Sequence, residues 1–88
     1  MDDELRRLIS KSLGKKMRYI RQEKELRQKE IARRCGFHKS GYNSIELGLR
    51  NISLTNLYKI AFALEVPVST FFDDEEFKTF LKHYTEEQ

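Results

Sequence analysis

Apolar residues along this chain recur at helical spacing, and no stretch alternates in the manner of a strand. From about Asp3 to Lys24, Leu5, Leu8 and Ile9 form one apolar group, and Leu13, Met17 and Ile20 continue it. Asp2, Asp3 and Glu4 complement the N-terminal dipole of this helix, and Gly14 marks a point of kinking or division. A short helix over Gln28 to Cys35 buries Ile31 and Ala32, and Gly36 ends it through a positive φ. The next helix runs from about Lys39 to Leu47, with Gly48 beyond it. Two short helices separated by Gly36, Phe37 and His38 make a helix-turn-helix arrangement. Ser53 is the expected N-cap of a fourth helix with a wide apolar face of Leu54, Leu57, Tyr58, Ile60, Ala61 and Leu64, of which Leu57, Ile60 and Leu64 belong to the core. Pro67 opens a short turn or helix through Phe72. Asp73 and Glu76 read as a capping-box variant for a last helix carrying Phe77, Phe80, Leu81 and Tyr84, with residues 85–88 frayed. The pattern predicts one all-α domain over residues 1–88, a compact bundle of five or six helices. Residues 1–12 extend the first helix and residues 73–88 form the C-terminal one.

Within the third helix, Tyr42 and Ile45 face inward by the 3.6-residue period. Lys39, Ser40, Asn43 and Ser44 then occupy much of the opposite face, with Gly41 near its edge. That face is short, polar and free of acid, as insertion into a DNA major groove requires. Glycine inside a helix costs about 1 kcal/mol relative to alanine. Two explanations for Gly41 are open: close approach of a groove wall or thymine methyl to the backbone, or relief of a clash with a neighbouring helix.

Composition sharpens this picture in one respect. Residues 1–50 hold 14 Lys/Arg and 7 Asp/Glu, a net +7, whereas residues 51–88 hold 3 and 7, a net −4. A basic first part facing a polyanion fits this asymmetry, and so does a merely solvated helical surface. Lys15, Lys16, Arg18, Arg21, Lys29, Arg33 and Arg34 supply much of the positive field, with Arg18 and Lys29 the best placed for phosphate beside Gln28. No apolar run approaches the roughly 18 residues of a membrane span. The N-terminus lacks the apolar region of a secretory signal, and the single Cys35 forms no internal disulfide, so a cytoplasmic location is expected. Cys35, His38 and His83 are too few and wrongly spaced for a metal site, and no catalytic constellation stands out. The expectation is a protein without cofactor or metal that is not an enzyme.

From Leu13 to Phe72 the chain resembles the Xre or phage repressor/Cro type of helix-turn-helix domain. The segments "LGKKMRYIRQEKELRQKEIARRCGF", "SIELGLRN" and "ISLTNLYKIAFALEVPVSTFF" carry the resemblance. The last, with the preceding "RN", is similar to the controller proteins of restriction–modification systems. The resemblance implies a homodimer on a roughly palindromic operator in double-stranded DNA, activating or repressing transcription. It also implies that Gln28 binds phosphate, that Lys39 and Ser40 read bases, that Asn43 contacts DNA, that Glu46 is structural, and that Arg50 and Asn51 hold phosphate. The chain departs from the family pattern at Glu25, Arg27, His38, Gly41 and Leu47.

Phe71, Phe72, Phe77 and Phe80 fall within ten residues of an acidic segment. They are either an exposed apolar patch for a second copy of the chain, or rings that fold the last helix back on its own domain. Two further readings involve other proteins. An antitoxin would mask a toxin through residues 1–12 or 73–88, and a helical adaptor would lack DNA activity. RNA polymerase is the remaining candidate as a second protein partner.

Overall fold

The structure, a computed structural model, describes residues 2–72 and 75–86, without the side chains of Asp2, Glu76, Phe77, His83, Tyr84 and Glu86. The elements are α1 (Asp2–Glu23), α2 (Gln28–Cys35), α3 (Lys39–Glu46), α4 (Leu54–Leu64), a 3₁₀ turn (Val68–Phe71) and α5 (Glu75–Glu86). No strand occurs among the described residues, and no described helix is long and apolar enough to cross a membrane. The expected capping role of Asp73, and residues 87–88, lie outside the described residues.

Met17 of α1, Ile31 of α2, Tyr42 of α3, and Ile60 and Leu64 of α4 are fully enclosed. Leu13, Ile20, Ala32, Cys35, Ile45, Leu57, Ala61, Ala63 and Phe71 complete the core. α3 packs on α1 and α2, α2 also packs on α4, and the 3₁₀ turn bridges α1 and α4. α5 rests on α1.

Gly14 does not divide α1, which is one helix of 22 residues. Its function is a crossing: a Cβ there would lie 2.4 Å from the Glu46 carbonyl oxygen and 2.7 Å from that of Ile45. Hydrogen in place of a methyl group lets the end of α3 rest directly on α1.

Helices α1 to α4 all end in the same way. The N–H groups of Leu26, Phe37, Leu49 and Val66 donate to the carbonyls of Arg21, Ala32, Ser44 and Ala61, five residues back. The residue before each adopts a left-handed backbone: Glu25, Gly36, Gly48 and Glu65, with φ between 58° and 74°. The motif satisfies carbonyls that the helix leaves orphaned, and it sets an apolar residue just past the turn. Leu26, Phe37 and Val66 use that position to pack on the core. Ser53 caps α4 as the sequence predicts, its hydroxyl accepting from the Asn56 N–H at 3.1 Å.

One expectation about apolar residues is narrowed and another is corrected. Leu54 and Tyr58 are not on the buried face of α4; they are 70% and 45% exposed, and with Phe62, 77% exposed, they form an outward stripe at i, i+4, i+8. Phe71 is not part of an exposed patch. It is 2% exposed and belongs to the core, because the 3₁₀ turn points it between α1 and α4, while its neighbour Phe72 faces out at 54%.

Candidate nucleic-acid interface

Helix α3 buries Tyr42, Ile45 and Glu46 and turns its other residues outward. Lys39 and Ser40 are exposed, Gly41, Asn43 and Ser44 are half-buried, and Leu47, just past the helix, is exposed. The Ser44 hydroxyl donates to the Ser40 carbonyl at 3.0 Å.

The single acid of α3 points inward and is neutralised there. Arg21 of α1 donates to both Glu46 carboxylate oxygens, from Nε at 2.7 Å and from Nη2 at 3.0 Å, and its Nη1 donates to the Leu26 carbonyl at 2.9 Å. Burial pushes the Glu46 carboxyl up, but hydrogen bonds from its neighbours, Arg21 first, outweigh that and leave it below the usual carboxylate range. The buried Tyr42 hydroxyl lies beside the carboxylate without reaching hydrogen-bond geometry, and burial raises its pKa. Sequence reasoning placed Arg21 in the general positive field, whereas it is the clamp that fixes α3 on α1.

Gln28 opens α2 and belongs to the same cluster. Its Nε2 donates to Glu46 Oε1 at 3.0 Å and to Asn43 Oδ1 at 2.9 Å, so both amide hydrogens are committed inside the chain. Neither Arg27 before α2 nor His38 before α3 caps its helix with a side chain. The first N–H groups of both helices therefore lack side-chain partners, where an anion or a base edge is favoured. Arg21, Arg27, Gln28, Lys29 and Lys39 line one depression between these two helix starts.

A second cleft is bordered by His38, Ser40, Gly41, Arg50 and Asn56. A Cβ on Gly41 would meet nothing nearer than Arg50 Nη1, at 4.0 Å. Relief of a clash within the protein is therefore not why glycine stands there. A third depression joins Arg6 and Arg7 of α1 to Gly48, Leu49, Arg50 and Asn51, bringing two basic residues of the N-terminal extension to the loop after α3. Sequence reasoning missed this pair, because only the fold brings residue 6 to residue 51. Arg18 and Lys29 are exposed.

Arg33 and Arg34 are tied within the chain. Both pair with Glu30, at 2.6 and 3.2 Å, and Arg34 Nη1 donates to the Ala63 carbonyl at 2.8 Å, joining α2 to α4. Cys35 is buried, and burial pushes its thiol up, which suppresses the thiolate that redox chemistry needs. Of the four phenylalanines expected in a dimer surface, Phe72 is exposed, Phe80 is half-buried, Phe71 is in the core and the Phe77 side chain lies outside the described residues.

Known proteins are similar to this chain in sequence and fold. A helix-turn-helix family model matches residues 17–71. Control protein C.MunI from a Mycoplasma species is 41% identical over 64 residues, which cover 72% of this chain and 86% of that protein. Control protein C.BamHI from Bacillus amyloliquefaciens is 43% identical over 54 residues, covering 60% of this chain and 67% of that protein. Among solved structures, the restriction-modification controller protein C.AhdI from Aeromonas hydrophila superposes with a TM-score of 0.67 at 33% identity, covering 69% of this chain and 92% of that one. The wild-type restriction-modification controller protein C.Esp1396I superposes with a TM-score of 0.69 at 30% identity, covering 86% and 96%. The chain with the acid-free face on α3 thus belongs to the Xre/Cro–C1 type helix-turn-helix family, a family of DNA-binding transcriptional regulators.

Proposed function

We propose that this protein is a regulator of the restriction–modification controller type that binds a roughly palindromic operator as a homodimer. The observation that carries this reading is the outward face of α3, polar and acid-free, set between basic clefts and beside two helix starts without side-chain caps. Lys39, Ser40, Asn43 and Ser44 read base edges, while Arg18, Lys29, Arg50 and Asn51 hold phosphates. Gln28, with its amide hydrogens committed to Glu46 and Asn43, serves phosphate through the backbone of its helix start rather than through its side chain. Selection of bound sequences from a random DNA pool tests the reading. The enriched sequence should have two-fold symmetry, with half-sites about one helical turn apart. A pool without enrichment would overturn it.

Gly41 provides a sharper check. The open space around it allows Gly41→Ala to raise the stability of the free protein by up to about 1 kcal/mol. The same methyl group should weaken operator binding, because it stands where the DNA approaches the backbone. Equal binding by the variant would remove close approach as the reason for glycine.

The second copy covers apolar surface that the fold leaves open on the acidic half: Leu54, Tyr58 and Phe62 along α4, with Phe72 beyond it. A two-fold axis presents the same patch twice, and the net −4 of residues 51–88 keeps this end away from DNA. Sedimentation at micromolar concentration should give twice the 10.5 kDa chain mass, and Phe62→Glu should give the single mass. A wild-type monomer would contradict the dimer.

A further inference from the structure

We infer that Arg21, Glu46 and Gln28 fix the polarity of Asn43, so that it turns its amide hydrogens to DNA and favours the keto edge of guanine or thymine over adenine. The inference rests on the proposed role of α3 as the base-contacting helix, and it concerns which base one side chain accepts.

An asparagine amide presents a carbonyl acceptor on one side and an NH₂ donor on the other. Free to choose, it pairs with adenine in two places, accepting from N6 and donating to N7. Here the choice is made in advance, by a chain of three contacts. Arg21 offers only donors and grips both oxygens of Glu46, whose side chain is 2% exposed. The paired carboxylate offers only acceptors. Gln28 must therefore turn its NH₂ group toward it, as the 3.0 Å contact from Nε2 to Oε1 shows. The same NH₂ group faces Asn43 at 2.9 Å, so Asn43 must answer with its carbonyl oxygen. Turning the Asn43 amide over would set two NH₂ groups against each other. Turning Gln28 over would set its carbonyl against the carboxylate. Asn43 Nδ2 has no partner among the described residues and is not enclosed, since the Tyr42 hydroxyl is the one buried side-chain polar atom left unpaired among them.

With its oxygen accepting from Gln28, Asn43 has two amide hydrogens to offer the groove. Guanine O6 and N7 and thymine O4 accept them, whereas the two-point contact to adenine must share the Asn43 oxygen with Gln28 and is disfavoured. Gln28 is thus a positioning residue for specificity, acting through Asn43.

The test uses the random-pool selection on three proteins. Asn43→Ala identifies the operator position that Asn43 reads, as the position where preference relaxes. The wild-type protein should show guanine or thymine at that position on the contacted strand. Gln28→Leu, which leaves the Arg21–Glu46 pair intact, frees the Asn43 oxygen. Adenine at that position should then gain about tenfold over its wild-type share, the remaining positions keeping theirs. Adenine in the wild-type sequence overturns the inference, as does an Asn43→Ala variant that relaxes no position. A folded Gln28→Leu variant with unchanged preference overturns it too. If Gln28→Leu does not fold, the wild-type base at the mapped position still decides. Absence of any enrichment by the wild-type protein counts against the DNA reading itself, which separates the two failures.

Discussion

Glu46→Ala should destabilise the fold by about 3–5 kcal/mol, the usual effect of removing one partner of a buried ion pair. A small domain has roughly 5–15 kcal/mol in total, so this one truncation removes a large share. The size follows from what the carboxylate holds. Arg21 and Glu46 are 12% and 2% exposed at their side chains, and their contact at 2.7 Å joins α1 to α3. Without Glu46, the Arg21 charge stays in a half-buried site with only the Leu26 carbonyl as partner, and Gln28 loses one of its two acceptors. Replacing both members, Arg21→Met with Glu46→Leu, should recover much of the loss, because no unpaired charge then remains. The pH dependence has a definite sign. In the folded protein Glu46 titrates below an ordinary carboxylate, whose pKa is about 4.3, so its contribution is fully present above that ordinary value and is lost as pH falls through the lower folded one. Urea denaturation of wild type and Glu46→Ala should therefore show a gap that is constant near neutrality and narrows in acid. A gap under 1 kcal/mol at neutral pH, or one that pH does not alter, would contradict the role given to the pair.

Positions whose meaning is local were legible in the sequence. The 3.6-residue period outlined α1 to α4, Gly36 announced its left-handed turn, Gly48 announced the end of α3, and Ser53 announced its cap. The outward residues of α3 followed from the same period. Meanings that depend on a distant partner were not legible. Gly14 looks like a helix breaker until the carbonyls of Ile45 and Glu46 are laid against it. Arg21 looks like any other surface cation until Glu46, 25 residues later, is found to face it. Helix α4 is apolar nearly all round, so its period marks Leu57, Ile60 and Leu64 as core but leaves open whether Leu54 and Tyr58 join them; they face out with Phe62. Adjacent phenylalanines posed the same difficulty at Phe71 and Phe72, since one 3₁₀ turn cannot bury both. Glu25 and Glu65 take up a conformation that favours glycine, and the one local hint was the apolar residue following each.

Affinity for the selected operator should fall about a thousandfold between 50 and 200 mM salt. The magnitude comes from a count of charges. Arg18, Lys29 and Arg50 are the exposed cations proposed for phosphate, which makes six in a dimer. Each neutralised phosphate contributes about −0.9 to the slope of log K against log salt, so six give roughly −5. A slope of that size arises only if the +7 of residues 1–50 faces the duplex, because the −4 of residues 51–88 would oppose it. Arg50→Ala removes one cation from each protomer and should make the slope shallower by about 1.8, weakening all sequences alike. Arg33→Ala is the control. Its guanidinium pairs with Glu30 on the exposed side of α2, so its loss should leave the slope nearly unchanged. Fluorescence anisotropy with a labelled operator, titrated at four or five salt concentrations, measures all three proteins. A wild-type slope near zero would end the case for phosphate contact by the basic half. Equal slopes for wild type and Arg50→Ala would move the contact away from the loop after α3, and with it the docking geometry in which Gly41 meets the DNA.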